Sequence, residues 1–147
     1  MPLPTITTPT YELNLPSTGK KIKYRPFLVK EEKILILALE TRDQNQITNA
    51  VKDVLKKCVI TRGIKIDDLP TFDIEYLFLN IRAKSIGEDI NMIVTCPDDR
   101  KTEVDVTVYV DEIKVIKSKE HVKDINLDKD MTLRMKYPSL NQFIETN

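Results

Sequence analysis

Apolar and polar positions alternate from the start of the readable pattern. Tyr11, Leu13 and Leu15 are separated by polar residues, Pro16-Ser17-Thr18-Gly19 supplies turn chemistry, and Ile22 and Tyr24 resume the alternation. This predicts a β-hairpin with one apolar face. Its other face sets Glu12 and Asn14 opposite Lys21, Lys23 and Arg25, a favourable cross-strand charge pattern. After Pro26 the pattern changes. The block Lys30-Glu31-Glu32-Lys33 precedes an unbroken apolar run from Ile34 to Leu39. Acidic residues ahead of such a run suit the partial positive charge of a helix N-terminus. A buried strand competes for Ile34 to Leu37, but Ala38, the leucines and the flanking Lys and Glu favour helix. A helix apolar all round should be covered on more than one side.

Asp43 is placed to cap a second helix, in which Ile47, Ala50, Val51, Val54, Leu55 and Cys58 recur at spacings of three and four. A break at Arg62-Gly63 leads to a third helix that Thr71 could cap and Gly87 could end. Ile74, Leu77, Phe78 and Ile81 form its main face. Tyr76, Leu79 and Ala83 lie off that face, so the helix is either central to the core or offers a second side to a partner. Beyond Gly87 the period becomes two. INMIVT and EVDVTVYV flank a turn at Cys96 to Arg100, and DINLD and MTLRM flank a turn at Asp128-Lys129-Asp130. Ser139 begins a capped helix with Leu140, Phe143 and Ile144 as its apolar face.

The pattern therefore predicts an α+β fold: an N-terminal β-hairpin, a three-helix segment, C-terminal antiparallel β units and the start of a further helix. An extended arm over residues 1–10, rich in Pro and Thr, precedes a single domain over 11–137, with hairpin and helices in 11–87 and a β-rich part in 88–137. The helix beginning in 138–147 either docks on the body or marks a chain cut short of its natural end.

Composition narrows the function. With 23 basic and 23 acidic side chains in 147 residues, no bulk charge draws the chain to nucleic acid or an anionic membrane. The stripe Lys20, Lys21, Lys23 and Arg25, with Tyr24 and Phe27 nearby, reads as a solvated or protein-docking face. No apolar run reaches the roughly 18 residues a membrane span needs, and MPLPTITTPT lacks a secretory pattern. A cytoplasmic chain with two cysteines, Cys58 and Cys96, should hold them as reduced thiols.

Candidate chemistry is sparse. A zinc site needs about four ligands, and Cys58, Cys96 and His121 offer no Cys-x-x-Cys or His pair. One histidine leaves nucleophilic catalysis thin. Asp67-Asp68, Asp98-Asp99 and Asp128 with Asp130 sit where turns and caps want aspartate. No cofactor and no enzyme activity are expected. A small metal-binding ribbon protein and a hydrolase using His121 or an Asp pair are the alternatives.

Three stretches carry a family likeness. ELNLPSTGKKIKYRPFLVKEEKILILALE, TFDIEYLFLNIRAKSIGE and MKYPS, in that order, resemble the baseplate protein family of T-even-type contractile-tailed bacteriophages, the family of the baseplate hub subunit or hub assembly protein. The resemblance runs from about Pro4 to Ser139. It implies a role in building the hub through contacts with other baseplate or hub proteins, as an assembly chaperone or as a structural subunit. The places implied are the host cytoplasm during assembly and the virion baseplate, with self-association open. The resemblance also implies, for many relatives, a second cysteine after the Cys-Pro of the β-turn in a ribbon-like Cys-x-x-Cys; here the stretch is Cys96-Pro97-Asp98-Asp99, so that second ligand is missing. Arg25, Phe27, Lys30, Glu31, Glu32, Tyr76 and Phe78 are the expected partner interface, with the aromatic rings as anchors and the charges fixing register.

Overall fold

A computed structural model describes residues 7–142. Phe143, Ile144 and the first six residues of the expected arm lie outside the described residues. Strands β1 (Tyr11–Asn14) and β2 (Lys21–Tyr24) pair antiparallel, with Leu13 opposite Ile22 and Tyr11 opposite Tyr24. Glu12 bridges Lys21 at 3.1 Å and Lys23 at 3.7 Å on the solvent face. Gly19 closes the turn at φ 69°, a backbone angle that costs glycine little. Beyond β2, the segment after the second helix lies alongside: Val59 bridges Tyr24, and the Arg25 amide donates to the Cys58 carbonyl at 2.9 Å.

Helix α1 (Val29–Glu40) starts where the acidic block predicts, for a specific reason. Glu31, in its first turn, turns back so that its carboxylate accepts the Leu28 amide at 2.7 Å, one half of a capping box. Helix α2 (Gln44–Cys58) is capped by Asp43, which accepts the Asn45 amide at 2.9 Å. Helix α3 (Thr71–Ser85) begins one residue earlier than the expected Thr71 cap: Pro70 holds the cap position and Thr71 is already helical. Pro70 is extended there and cannot cap with its side chain. The first-turn acid of α3 is turned to another use. Asp73, fully buried, accepts the Ser17 amide at 2.9 Å and the Ser17 hydroxyl, fastening the hairpin turn to the helix.

The core lies among these elements. Leu15, Ile22, Val54, Leu55, Cys58, Leu77 and Ile81 are buried to 2% exposure or less, and Tyr24, Phe27, Ile66 and Ile74 complete it with Leu140. Leu140 comes from the far end of the described chain. Its amide donates to the Leu69 carbonyl at 3.2 Å, Ser139 bridges Pro70, and the buried Lys52 ammonium reaches Asn141 at 2.6 Å. Ser139 and Gln142 cap one another there, through bonds of 3.3 and 3.0 Å.

The remaining strands stand apart as two ribbons. β3 (Asp89–Thr95) pairs with β4 (Glu103–Tyr109), and β5 (Asp124–Asp128) pairs with β6 (Met131–Arg134), so the described residues hold three separate two-stranded sheets. A register shift between Asn126 and Asp128 leaves Leu127 without a cross-strand partner, unlike the simple pairing that alternation predicts. Both ribbons are antiparallel, as expected. Their apolar faces, however, are open: Met92, Val94, Val104, Ile125 and Leu133 are each 40–45% exposed.

Two further expectations change. Helix α1 is not covered on more than one side; it packs along α2, with Ala38 buried and Leu35 against the core, while Ile36, Leu37 and Leu39 are half exposed or more. Arg25 does not continue the basic stripe of β2. Pro26 cannot extend the ladder, so the chain turns, and the guanidinium enters the interior with 18% side-chain exposure. There it faces Glu31, itself 0% exposed, at 3.3 Å, and donates to the Pro26 carbonyl at 2.9 Å.

Leu77→Ala should lower unfolding free energy by about 3 kcal/mol, because it empties a fully buried site that helix α3 cannot collapse around; urea titration followed by circular dichroism measures it. The Glu31 carboxyl feels burial, which pushes its pKa up. The Leu28 amide, Arg25 and Lys30 outweigh that and hold it below its ordinary value. A depressed folded-state pKa stabilises above the unfolded value of about 4.3 and ceases to do so as pH falls through the folded value. Glu31→Ala should therefore cost about 2–4 kcal/mol at pH 7, and the gap to the parent chain should narrow below pH 4 in paired urea titrations.

Candidate functional site

The residues expected to meet a partner divide into two groups. Arg25, Phe27 and Glu31 are taken up by the fold itself. Phe27 is 8% exposed, and its amide donates to the Ser85 hydroxyl at 3.0 Å, a bond that ties the hairpin exit to the end of α3. Glu31 joins the hairpin exit, the start of α1 and, through Arg25, the end of α2 near Cys58. Lys30 remains at the surface and approaches Glu31 at 3.8 Å from outside. Glu32, Tyr76 and Phe78 are half-buried, with Phe78 packed against the core.

Helix α1 carries an apolar surface for which the pattern predicted cover on more than one side. Val29 is 80% exposed, and Ile36, seven residues on, lies on the same side of the helix. Leu37 and Leu39 flank it. The signal was present in the sequence as a six-residue apolar run with no polar position to face water, but the run alone does not say whether this chain or another covers it.

Titratable chemistry outside this surface is engaged locally. Burial pushes the Cys58 thiol up to about 11, against the opposing pull of Arg25, which makes it an unreactive core group. Cys96 is half-buried, and both cysteines are free thiols. In the β3–β4 turn, Asp99 accepts the Thr102 hydroxyl and the amides of Lys101 and Thr102, which hold its carboxyl down at about 2. This is a turn-forming aspartate. Asp67 is held low by Lys56 at 2.7 Å. Among the described residues no group of three His, Cys, Asp or Glu side chains could hold a metal ion. No helix among them is long and apolar enough to cross a membrane.

One cluster had no signal in the pattern. The His121 ring stacks on Tyr137 with centroids 5.6 Å apart, its Nε2 lies 2.5 Å from the tyrosine oxygen, and Phe72 meets Tyr137 edge-on at 5.0 Å. Lys117, nearby on the same connection, donates to the Pro16 carbonyl. These contacts pin the connection between the ribbons to the helical body. They join residues far apart in sequence, so no spacing reveals them.

Comparison with known proteins adds one finding. Residues 8–147 match the family described as T4 bacteriophage base plate protein. No curated protein and no solved structure matches the chain. The match spans nearly the whole sequence, and with it the hairpin, the three helices and both ribbons are those of a member of the T4-type bacteriophage baseplate protein family.

Proposed function

We propose that this chain acts without catalysis, as a protein–protein interaction module in assembly of the phage baseplate hub, working in the host cytoplasm as an assembly chaperone or remaining as a hub subunit. The observation that carries this reading is the outer side of α1, where Val29, Ile36, Leu37 and Leu39 are 50–80% exposed on a helix that the core holds in place. Soluble monomers rarely leave several large aliphatic side chains adjacent in water, and such patches favour protein partners. Lys33 and Glu40, both exposed on the same helix, would give register to a docked partner. Within a baseplate family the natural occupant of this side is another baseplate or hub protein.

The double substitution Ile36→Lys with Leu39→Lys should change unfolding free energy by no more than about 1 kcal/mol, because both side chains are already half exposed or more and lysine suits the C-terminal half of a helix. In a phage lacking the gene and complemented from a plasmid, the same variant should fail to restore complete baseplates in electron micrographs, while the parent chain restores them. Full complementation by a stably folded variant would remove this surface from the assembly role.

A further inference from the structure

The free edges of the two ribbons match one another residue by residue. On β4 the edge can be read from the bonds at its ends: Val110 donates to the Glu88 carbonyl at 3.0 Å, and Cys96 donates to the Thr102 carbonyl at 2.8 Å. The even-numbered backbone therefore faces β3, and the amides and carbonyls of Glu103, Asp105 and Thr107 point outward. On β6, Met135 donates to the Lys123 carbonyl at 2.8 Å, which turns Met135 and Leu133 toward β5 and leaves Thr132, Arg134 and Lys136 at the outer edge.

One antiparallel register sets these edges together. It pairs Glu103 with Lys136, Asp105 with Arg134 and Thr107 with Thr132 on the polar face. On the other face the same register sets Val104 against Met135, Val106 against Leu133 and Val108 against Met131. Opposite charges, a threonine pair and three apolar pairs are each favourable cross-strand neighbours. Pairing β4 with β4, or β6 with β6, would instead oppose acid to acid or base to base.

We propose that two copies of this chain associate through this seam, β4 of each copy pairing with β6 of the other. Within one chain the ribbons form separate sheets: Val110 is buried in the body, Lys117 is bonded to the hairpin turn, and Tyr137 is held between Phe72 and His121. A two-stranded ribbon is marginal in water, whereas a four-stranded sheet in the order β3-β4-β6-β5 has the extent that stability requires. One seam engages about six residues a side, well under the 20–30 of a standard interface, so the two-fold arrangement that forms both seams is favoured over an open chain. The dimer does not depend on the hub-assembly role.

Sedimentation equilibrium of the full chain should show mass rising from 17.0 kDa toward twice that value as concentration increases. Glu103 and Lys136 have no side-chain partner within the described chain, so their substitution tests the seam alone. Glu103→Lys or Lys136→Glu should each weaken dimerisation about ten-fold, and an equimolar mixture of the two variants should recover most of the loss. In a Cys96→Ser background, mixing Val106→Cys chains with Leu133→Cys chains under mild oxidation should give a disulfide-linked dimer containing one of each. A monomer at every concentration overturns the proposal. So does a dimer indifferent to both charge reversals, or a chain carrying both cysteines that closes on itself as a monomer.

Discussion

The Glu31 carboxylate stands where the hairpin, α1 and α2 converge, and its satisfaction is the condition on which their arrangement rests. A fully buried carboxylate is tolerable only with donors on its oxygens, and it receives them from the Leu28 amide and from Arg25. To deliver that guanidinium, the chain must leave β2 at Tyr24, which Pro26 enforces by ending the ladder. Accepting the Leu28 amide also fixes the first residue of α1. One ion pair thus sets where a strand ends, where a helix begins and which way Arg25 points. Asp73 does comparable work opposite, holding the hairpin turn on α3 through Ser17. Two acids that look like solvated helix-start residues in the sequence are the internal fasteners of the helical body.

The rest of the molecule obeys a different balance. Among the described residues, the buried apolar side chains lie between Leu15 and Ala83, with Val110 and Leu140 as the exceptions. The ribbons have regular strands and well-formed turns but contribute little to this interior. Their order comes from ladder bonds, from turn chemistry such as that of Asp99, and from the aromatic contacts at Tyr137 that anchor the connection between them. Apolar surface is distributed unevenly in consequence: scarce in water around α2 and α3, abundant on the outer side of α1 and on one face of each ribbon.

Much of this was legible in the sequence. The hairpin register followed from the alternation around Leu13 and Ile22, the cap at Asp43 from residue type, and the α2 stripe from its three-and-four spacing, because these depend on neighbours a few residues away. The ribbons were legible for the same reason. What failed was long-range. An apolar run says that a side chain favours cover but not which surface supplies it, so the pattern left open what covers Ile36, Leu37 and Leu39. Arg25 read as solvated because strand parity assigns it to the polar face, and parity ends with the strand. The Phe72–Tyr137–His121 cluster and the Asp73–Ser17 link join positions whose proximity only the tertiary fold creates. Among the residues expected at an interface, Phe27 looked like an anchor because it is a large ring beside charges; the ring is instead buried in the core, and two of those charges, Arg25 and Glu31, pair with each other.

The return of Leu140 to Leu69 has a consequence for how the protein comes into being. Pro70 and Ser139 meet across a closed loop of about 70 residues, and both ribbons lie inside that loop. As the chain emerges from the ribosome, the hairpin and helices are synthesised well before the leucine that completes their core. Until residue 140 clears the exit tunnel, the helical body has one side unsealed and Lys52 lacks its Asn141 partner. The nascent chain therefore passes through an interval in which its helices exist without closure, and a partner arriving then would meet a more open body than the finished protein presents.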